Sequence, residues 1–281
     1  MRVHQPRELN EALGILHALG DQAMVIAGGT DLLVDWHHRL GAQDQTFVDV
    51  SRLTSLRAVT WTDTAVTLGA LTTYWDTIVD ARIGREFPLL VAAASQVGAV
   101  QIQTRGTWAG NVMNASPAAD GVTALMAYDA TVILESAQGS EEIPLHEFYL
   151  GYKQLRRRPD QLLRAIRVPR RPHDFERFEK VGSRRAQAIT KVGLAVAHSA
   201  AGWRIVASSV APTVRRCPRL EAHFSHSPAF ASVADVLAVL RHDVAPIDDL
   251  RSTSHYREQT LARILFFMAR EIQADSGARL T

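Results

Sequence analysis

The segment that most restricts how this chain can fold is Arg105-Gly-Thr-Trp-Ala-Gly-Asn-Val-Met-Asn-Ala-Ser-Pro-Ala-Ala-Asp120. Small residues and turn formers crowd it, and apolar stretches flank it. Gly106, Ala109, Gly110, Ala115, Ala118 and Ala119 keep bulky side chains away from the backbone, while Asn111, Asn114, Ser116 and Asp120 offer hydrogen-bonding groups. Such a segment reads as a binding loop between two buried elements. An upstream stretch, Met24-Val-Ile-Ala-Gly-Gly-Thr-Asp-Leu-Leu33, has the same character. Both must be placed by any fold proposed for the chain.

The spacing of Leu9, Ala12, Leu13, Leu16 and Leu19, with Pro6 before and Gly20 after, predicts an amphipathic helix. Residues 23–27 form a short apolar strand, and Gly28-Gly29 leads into Thr30-Asp31, which can cap a helix through Leu32, Leu33 and Trp36. Residues 46–50 read as a second strand, giving a small α/β unit with a parallel pair. A change of composition at 51–56 marks a boundary.

Residues 64–70 then alternate as a strand, and Thr72 or Thr73 can cap a short helix through Trp75, Ile78 and Val79. A buried helix over 88–97 leads to the 105–120 segment. A helix over 121–128, a strand over 130–135 and a turn at Gly139-Ser140 follow. Residues 152–160 form a basic connector whose Arg156, Arg157 and Arg158 read as a solvated surface. The strand over 162–168 is closed by Pro169, and 170–173 is a linker. Strands over 175–181, 191–198 and 204–211 come next, the last two a hairpin around Ala201-Gly202. Helices follow over 230–240 and 256–272, the second on Leu261, Ile264, Leu265, Met268 and Ile272. The expected fold class is α+β. Subdomains at 1–55 and 56–172 build one site between them, and 173–281 forms an antiparallel sheet with helices.

Composition narrows the function. With 31 basic against 29 acidic residues in a chain of 281, there is no charge excess to line a nucleic-acid groove. Cys217 is the single cysteine, which excludes an internal disulfide and any metal cluster held by several thiolates of this chain; it reads as an incidental thiol. The N-terminal residues lack the apolar run of a secretion signal, and no stretch approaches the roughly 18 apolar residues of a membrane span. The cytoplasm is the expected location. His37-His38 invites a metal, but helix neighbours point about 100° apart and no partner ligand is spaced to help, so a solvated face is the better reading. The tryptophans at 36, 61, 75, 108 and 203 read mostly as core or interface anchors, with Trp108 alone placed to touch a ligand.

A strand that ends in Ala27-Gly28-Gly29-Thr30 presents unpaired backbone N–H groups, which suits a phosphate; an unliganded tight turn is the equal alternative for this stretch taken alone. It matches neither G-x-G-x-x-G nor G-x-x-x-x-G-K-[ST], which counts against an ordinary dinucleotide fold and a P-loop nucleotidase. Thr107, Gly110 and Asn111 put a hydroxyl, a bare backbone and an amide close together. Two such segments can clamp a pyrophosphate.

Ala27-Gly-Gly-Thr-Asp-Leu-Leu33 resembles the first flavin loop of the FAD-binding subunit of molybdenum hydroxylases. Thr107-Trp-Ala-Gly-Asn111 with Asn114-Ala-Ser-Pro-Ala-Ala-Asp120 resembles the second. The likeness continues through residues 178–192, 209–213 and 250–257, and so covers nearly the whole chain. The family includes bacterial xanthine dehydrogenase and the medium subunit of aerobic carbon monoxide dehydrogenase. The resemblance implies an FAD-binding electron-transfer subunit, most like the xanthine dehydrogenase type, with carbon monoxide or an N-heterocyclic aromatic as alternative substrates of the complex. It implies a pyrophosphate site lined by Ala27, Gly28, Gly29, Thr30, Asp31 and Leu32 with Thr107, Gly110 and Asn111. Asp120 is implied on the ribityl side, Leu163 against the flavin ring and Lys180 near its edge, with no general base in this chain. On residue chemistry alone, Lys180 reads rather as a solvated lysine flanking a strand. The family's second loop reads close to Thr-Ile-Gly-Gly-Asn, whereas Trp108 and Ala109 occupy the middle here; a methyl at Ala109 would crowd the backbone if that residue needs positive φ.

Molybdopterin and [2Fe-2S] clusters are expected on partner subunits, in a dimer of heterotrimers, with NAD as a possible acceptor. A partner-docking subunit with a degenerate flavin site and a free-standing flavin reductase are the rival classes.

Overall fold

The N-terminal helical spacing folds as expected in a computed structural model that describes residues 2–34 and 45–278. Strand β1 (Arg2–His4) precedes helix α1 (Leu9–Leu19), which buries Ala12, Leu13 and Leu16. Gly20, at φ +53, ends the helix by donating its N–H to the Leu16 carbonyl. Strands β2 (Ala23–Ile26) and β3 (Thr46–Asp49) complete a three-stranded parallel sheet in the order β1-β3-β2. After Thr30 the described residues make only turns, with the Leu33 N–H donating to the Gly29 carbonyl at 2.9 Å. The rest of the helix expected there, with Trp36 and His37-His38, lies outside the described residues.

Hairpin β4 (Val59–Trp61) and β5 (Ala65–Gly69) opens the second sheet. Thr73 then starts α2 (Tyr74–Val79) with a capping box: its hydroxyl accepts from the Asp76 N–H, and the Asp76 carboxylate accepts from the Thr73 N–H. Helices α3 (Ala81–Glu86), α4 (Pro88–Ser95), α5 (Val100–Gln103), α6 (Trp108–Asn114) and α7 (Asp120–Ala127) follow. The chain returns through hairpin β6 (Thr131–Ser136) and β7 (Gly139–Pro144), so Gly139 and Ser140 begin a strand where a turn was expected. The basic connector begins inside a small hairpin, β8 (Tyr149–Gly151) and β9 (Gln154–Leu155). Strand β10 (Leu162–Pro169) then inserts between the two earlier hairpins, giving the antiparallel order β4-β5-β10-β6-β7. A register shift between Leu163 and Ala165 turns Arg164 outward to Glu135 (2.6 Å) and leaves Leu162, Leu163, Ala165 and Ile166 buried.

The third sheet is antiparallel: β11 (His173–Val181), β12 (Val192–Ser199), β13 (Gly202–Ser208) and the short β14 (Arg215–Arg216). The expected linker at 170–173 therefore runs directly into a strand. Strand β12 is covered on both sides. Ala195 and Ala197 join the core of the preceding domain, and Val192, Leu194 and Val196 point into a second core. That second core is closed by α8 (Pro218–His226), α9 (Val233–Leu240) and α10 (Ser254–Ala278), through Phe224, Leu240, Leu261 and Leu265 among others. Helix α8 was not expected. It begins at Pro218 and carries Leu220 and Phe224 into the core, with Cys217 fully buried at its start.

Candidate functional site

The two glycine-containing segments meet backbone to backbone. A Cβ built on Gly28 would lie 1.9 Å from the Arg105 carbonyl oxygen and 3.2 Å from the Gly106 Cα, so only glycine permits this approach. Gly29 turns the chain at φ +74, which L side chains rarely adopt. The N–H groups of Gly28, Gly29 and Thr30 donate to no described residue. Successive free amides in a turn form a concavity for an anion. Ala27, Gly28, Gly29, Thr30 and Leu32 are half-buried and Asp31 is exposed. Thr30 reaches across to the second segment, its Oγ1 lying 3.3 Å from the Cβ position of Gly106.

The second segment is not the loop that its composition suggests. Thr107 caps α6, its hydroxyl accepting the Gly110 N–H at 2.9 Å, and Ala115 in the left-handed region (φ +51) ends the helix. Ala109 is therefore helical, with no positive φ to strain, and its methyl is buried. Trp108 does not face a ligand. It is fully buried, edge-on to Tyr74 with ring centroids 5.2 Å apart. Asn111 turns its side-chain oxygen to the Val122 N–H (3.1 Å), satisfying a donor in the first turn of α7. Gly110 stays half-buried beside it.

Asp120, at the start of α7, anchors a buried cluster. Its carboxylate pairs with Lys180 Nζ at 2.5 Å and accepts the Thr190 hydroxyl at 2.6 Å; Lys180 also donates to the Gln96 carbonyl at 2.8 Å. Burial pushes the Asp120 carboxyl above its usual range, while Lys180 and Thr190 pull it back. Lys180 is thus no solvated flanking lysine: its side chain is 6% exposed. Leu163 lies in the main core on β10, 3% exposed, and takes no part in this cluster's hydrogen bonds. Burial raises the Tyr74 phenol well above the tyrosine range, and the charges of Asp31 and Asp120 raise it further. The charges of both sequence-predicted groups thus bear on one side chain. Sequence reasoning missed Tyr74, Gln96 and Thr190. Thr190 falls inside the 178–192 motif, but no spacing marked it, and Tyr74 lay unmarked between the candidate caps and Trp75.

Among the described residues no group of His, Cys, Asp and Glu could hold a metal ion, and no helix is long and apolar enough to cross a membrane. A family model described as the FAD binding domain in molybdopterin dehydrogenase matches residues 1–171, and one described as the CO dehydrogenase flavoprotein C-terminal domain matches residues 177–272. The chain is 29% identical over 287 residues to the xanthine dehydrogenase FAD-binding subunit of Escherichia coli O157:H7, covering 99% of this chain and 97% of that protein. It is 34% identical over 193 residues to the nicotinate dehydrogenase FAD-subunit of Eubacterium barkeri, covering 67% of this chain and 65% of that one. A solved structure of carbon monoxide dehydrogenase from Hydrogenophaga pseudoflava superposes with a TM-score of 0.83 at 26% identity, covering 95% of this chain and 94% of that chain.

Proposed function

This chain belongs to the FAD-binding subunits of the molybdopterin dehydrogenases, and from that premise we propose that residues 27–32 and 107–111 hold the pyrophosphate of FAD between them. The free amides of Gly28, Gly29 and Thr30 carry this reading. They offer an anion three donors without a compensating cation, which fits a chain with a formal charge of only +2. The closeness of Gly28 to Arg105 brings both segments to one ligand. Thr107 and Asn111 shape the wall through the two helix starts that they cap.

Asp120 and Lys180 complete the site as a fixed pair. Lys180 places a cation beside the ring edge and Asp120 faces the ribityl side, both immobilised by Thr190 and Gln96. Leu163 supplies apolar surface at the ring, and Gly110 gives the cofactor access to backbone. Bound FAD would supply the redox chemistry that links one-electron iron–sulfur donors to a two-electron acceptor such as NAD. This chain's own residues bind and orient it. No described residue is assigned the role of general base.

The single cysteine is buried, and burial pushes its thiol far up. Iron–sulfur clusters and molybdopterin therefore belong to partner subunits, in a dimer of heterotrimers in the cytoplasm. Identity of 29% along 99% of the chain supports a complex of the xanthine dehydrogenase type, with nicotinate or carbon monoxide oxidation as the alternatives. Residues 1–55 and 56–172 act as two halves of the cofactor site, and 173–281 closes it through Lys180 and Thr190.

Titrating the purified cofactor-free chain with FAD tests the central claim. One equivalent taken up, with the visible flavin band retained after gel filtration, is the expected result; no uptake by a folded chain would sink it. NADH oxidation is expected only once the partner subunits are present.

A further inference from the structure

Tyr74 lies where the two segments meet, and the roles assigned above leave its hydroxyl without a task. The residue is 3% exposed. Its ring edge and Thr30 Oγ1 approach the same point, 3.0 Å and 3.3 Å from the Cβ position of Gly106. Trp108 packs edge-on against the ring, and the Tyr74 N–H donates to the Gly106 carbonyl. Asp31 on the first segment and Asp120 at the end of the second both act electrostatically on the phenol.

A buried phenol ordinarily finds a hydrogen-bond partner, because an unpaired one forfeits the hydration it lost. Two other buried or half-buried tyrosines obey this: Tyr128 donates to Glu176, and Tyr149 donates to the Val112 carbonyl at 3.1 Å. The Tyr74 hydroxyl bonds to no described residue. It is not among the side-chain atoms sealed from solvent, so it keeps some accessible surface, on a ring whose edge meets Gly106 near Thr30 Oγ1 of the first segment. Burial and the two carboxylates keep it protonated, and hence a donor. The missing partner is an acceptor.

We propose that Tyr74 is a cofactor-contacting residue whose hydroxyl donates to a phosphate oxygen of the pyrophosphate held between residues 28–30 and Thr107, an inference that rests on the FAD reading above. Hydrogen bonds to charged groups are the strong ones, so this contact adds selectively to binding of the phosphate-bearing cofactor. The ring itself is structural and fixes where the hydroxyl points.

Tyr74→Phe tests this in the full chain, since it keeps the ring packing against Trp108 and Gly106 and removes one oxygen. FAD dissociation constants from quenching of flavin fluorescence are compared for the two proteins, alongside melting of each without cofactor. The expected result is an affinity weaker by about tenfold or more, with unchanged cofactor-free melting. Equal FAD affinity for the two proteins overturns the role of Tyr74 and leaves the FAD reading intact. A cofactor-free variant that melts several degrees lower assigns the hydroxyl to the fold and likewise overturns the proposal. A wild-type chain that binds no FAD overturns both.

Discussion

The two segments that converge on the site look alike in sequence and are built in opposite ways. The first, around Gly28-Gly29, leaves its backbone donors free and depends on the absence of side chains. In the second, Thr107, Asn111 and Asp120 are engaged within the protein, as a cap, a brace to α7 and a buried ion pair. Polar residues next to glycines therefore do not by themselves announce a ligand. In one segment the bare backbone is the proposed site, and in the other the polar side chains hold the wall beside it.

Breaking the ion pair of the second segment has the largest expected effect. Asp120→Asn leaves Lys180 as a buried cation without its partner, and losses of this kind are about 3–5 kcal/mol. Melting of the cofactor-free protein should fall sharply; a variant that melts like the wild type would show that Asp120 is not part of the structural wall. Gly28→Ala probes the first segment. A methyl driven towards the Arg105 carbonyl forces the segments apart, an overpacking worth about 1–3 kcal/mol, and FAD affinity should drop by more than stability does. If affinity survives, the cradle is not where the pyrophosphate sits. The smallest effect belongs to Ala109→Gly, which loosens a helix by about 0.5–1 kcal/mol and leaves FAD affinity unchanged in titration. A gain in affinity would mean that the methyl does obstruct the cofactor.

Much of the architecture was legible from pattern. Leu9 to Leu19, the capping Thr73 and the strand ended by Pro169 all sit in the elements that their spacing predicts. Strand β12 was also legible, although its run of apolar residues hid the division of labour between Ala195 and Ala197 on one side and Leu194 and Val196 on the other. Helix α8 escaped because only Leu220 and Phe224 carry its apolar spacing, among Arg219, His223 and His226. The site was harder to read. Glycine at 28 signals an approach but not to what, since Arg105 is distant in sequence and only the tertiary fold brings its carbonyl there. On residue chemistry Lys180 read as a solvated lysine because nothing local reveals that Gln96, Asp120 and Thr190 surround it. Ala109 raised an expectation of crowding that disappeared once its segment proved helical.

The order of the second sheet also bears on how the protein is made. Strand β10 is the last of its sheet in the chain yet lies at the centre, between hairpin β4–β5 and hairpin β6–β7. As the chain leaves the ribosome, each hairpin can form from local contacts, but both keep an open edge until residue 169 has emerged. The sheet is therefore completed late, by the long-range pairing of its last strand. A nascent chain stalled just short of β10 would present two unfinished edges side by side, the state in which chaperones have most to protect.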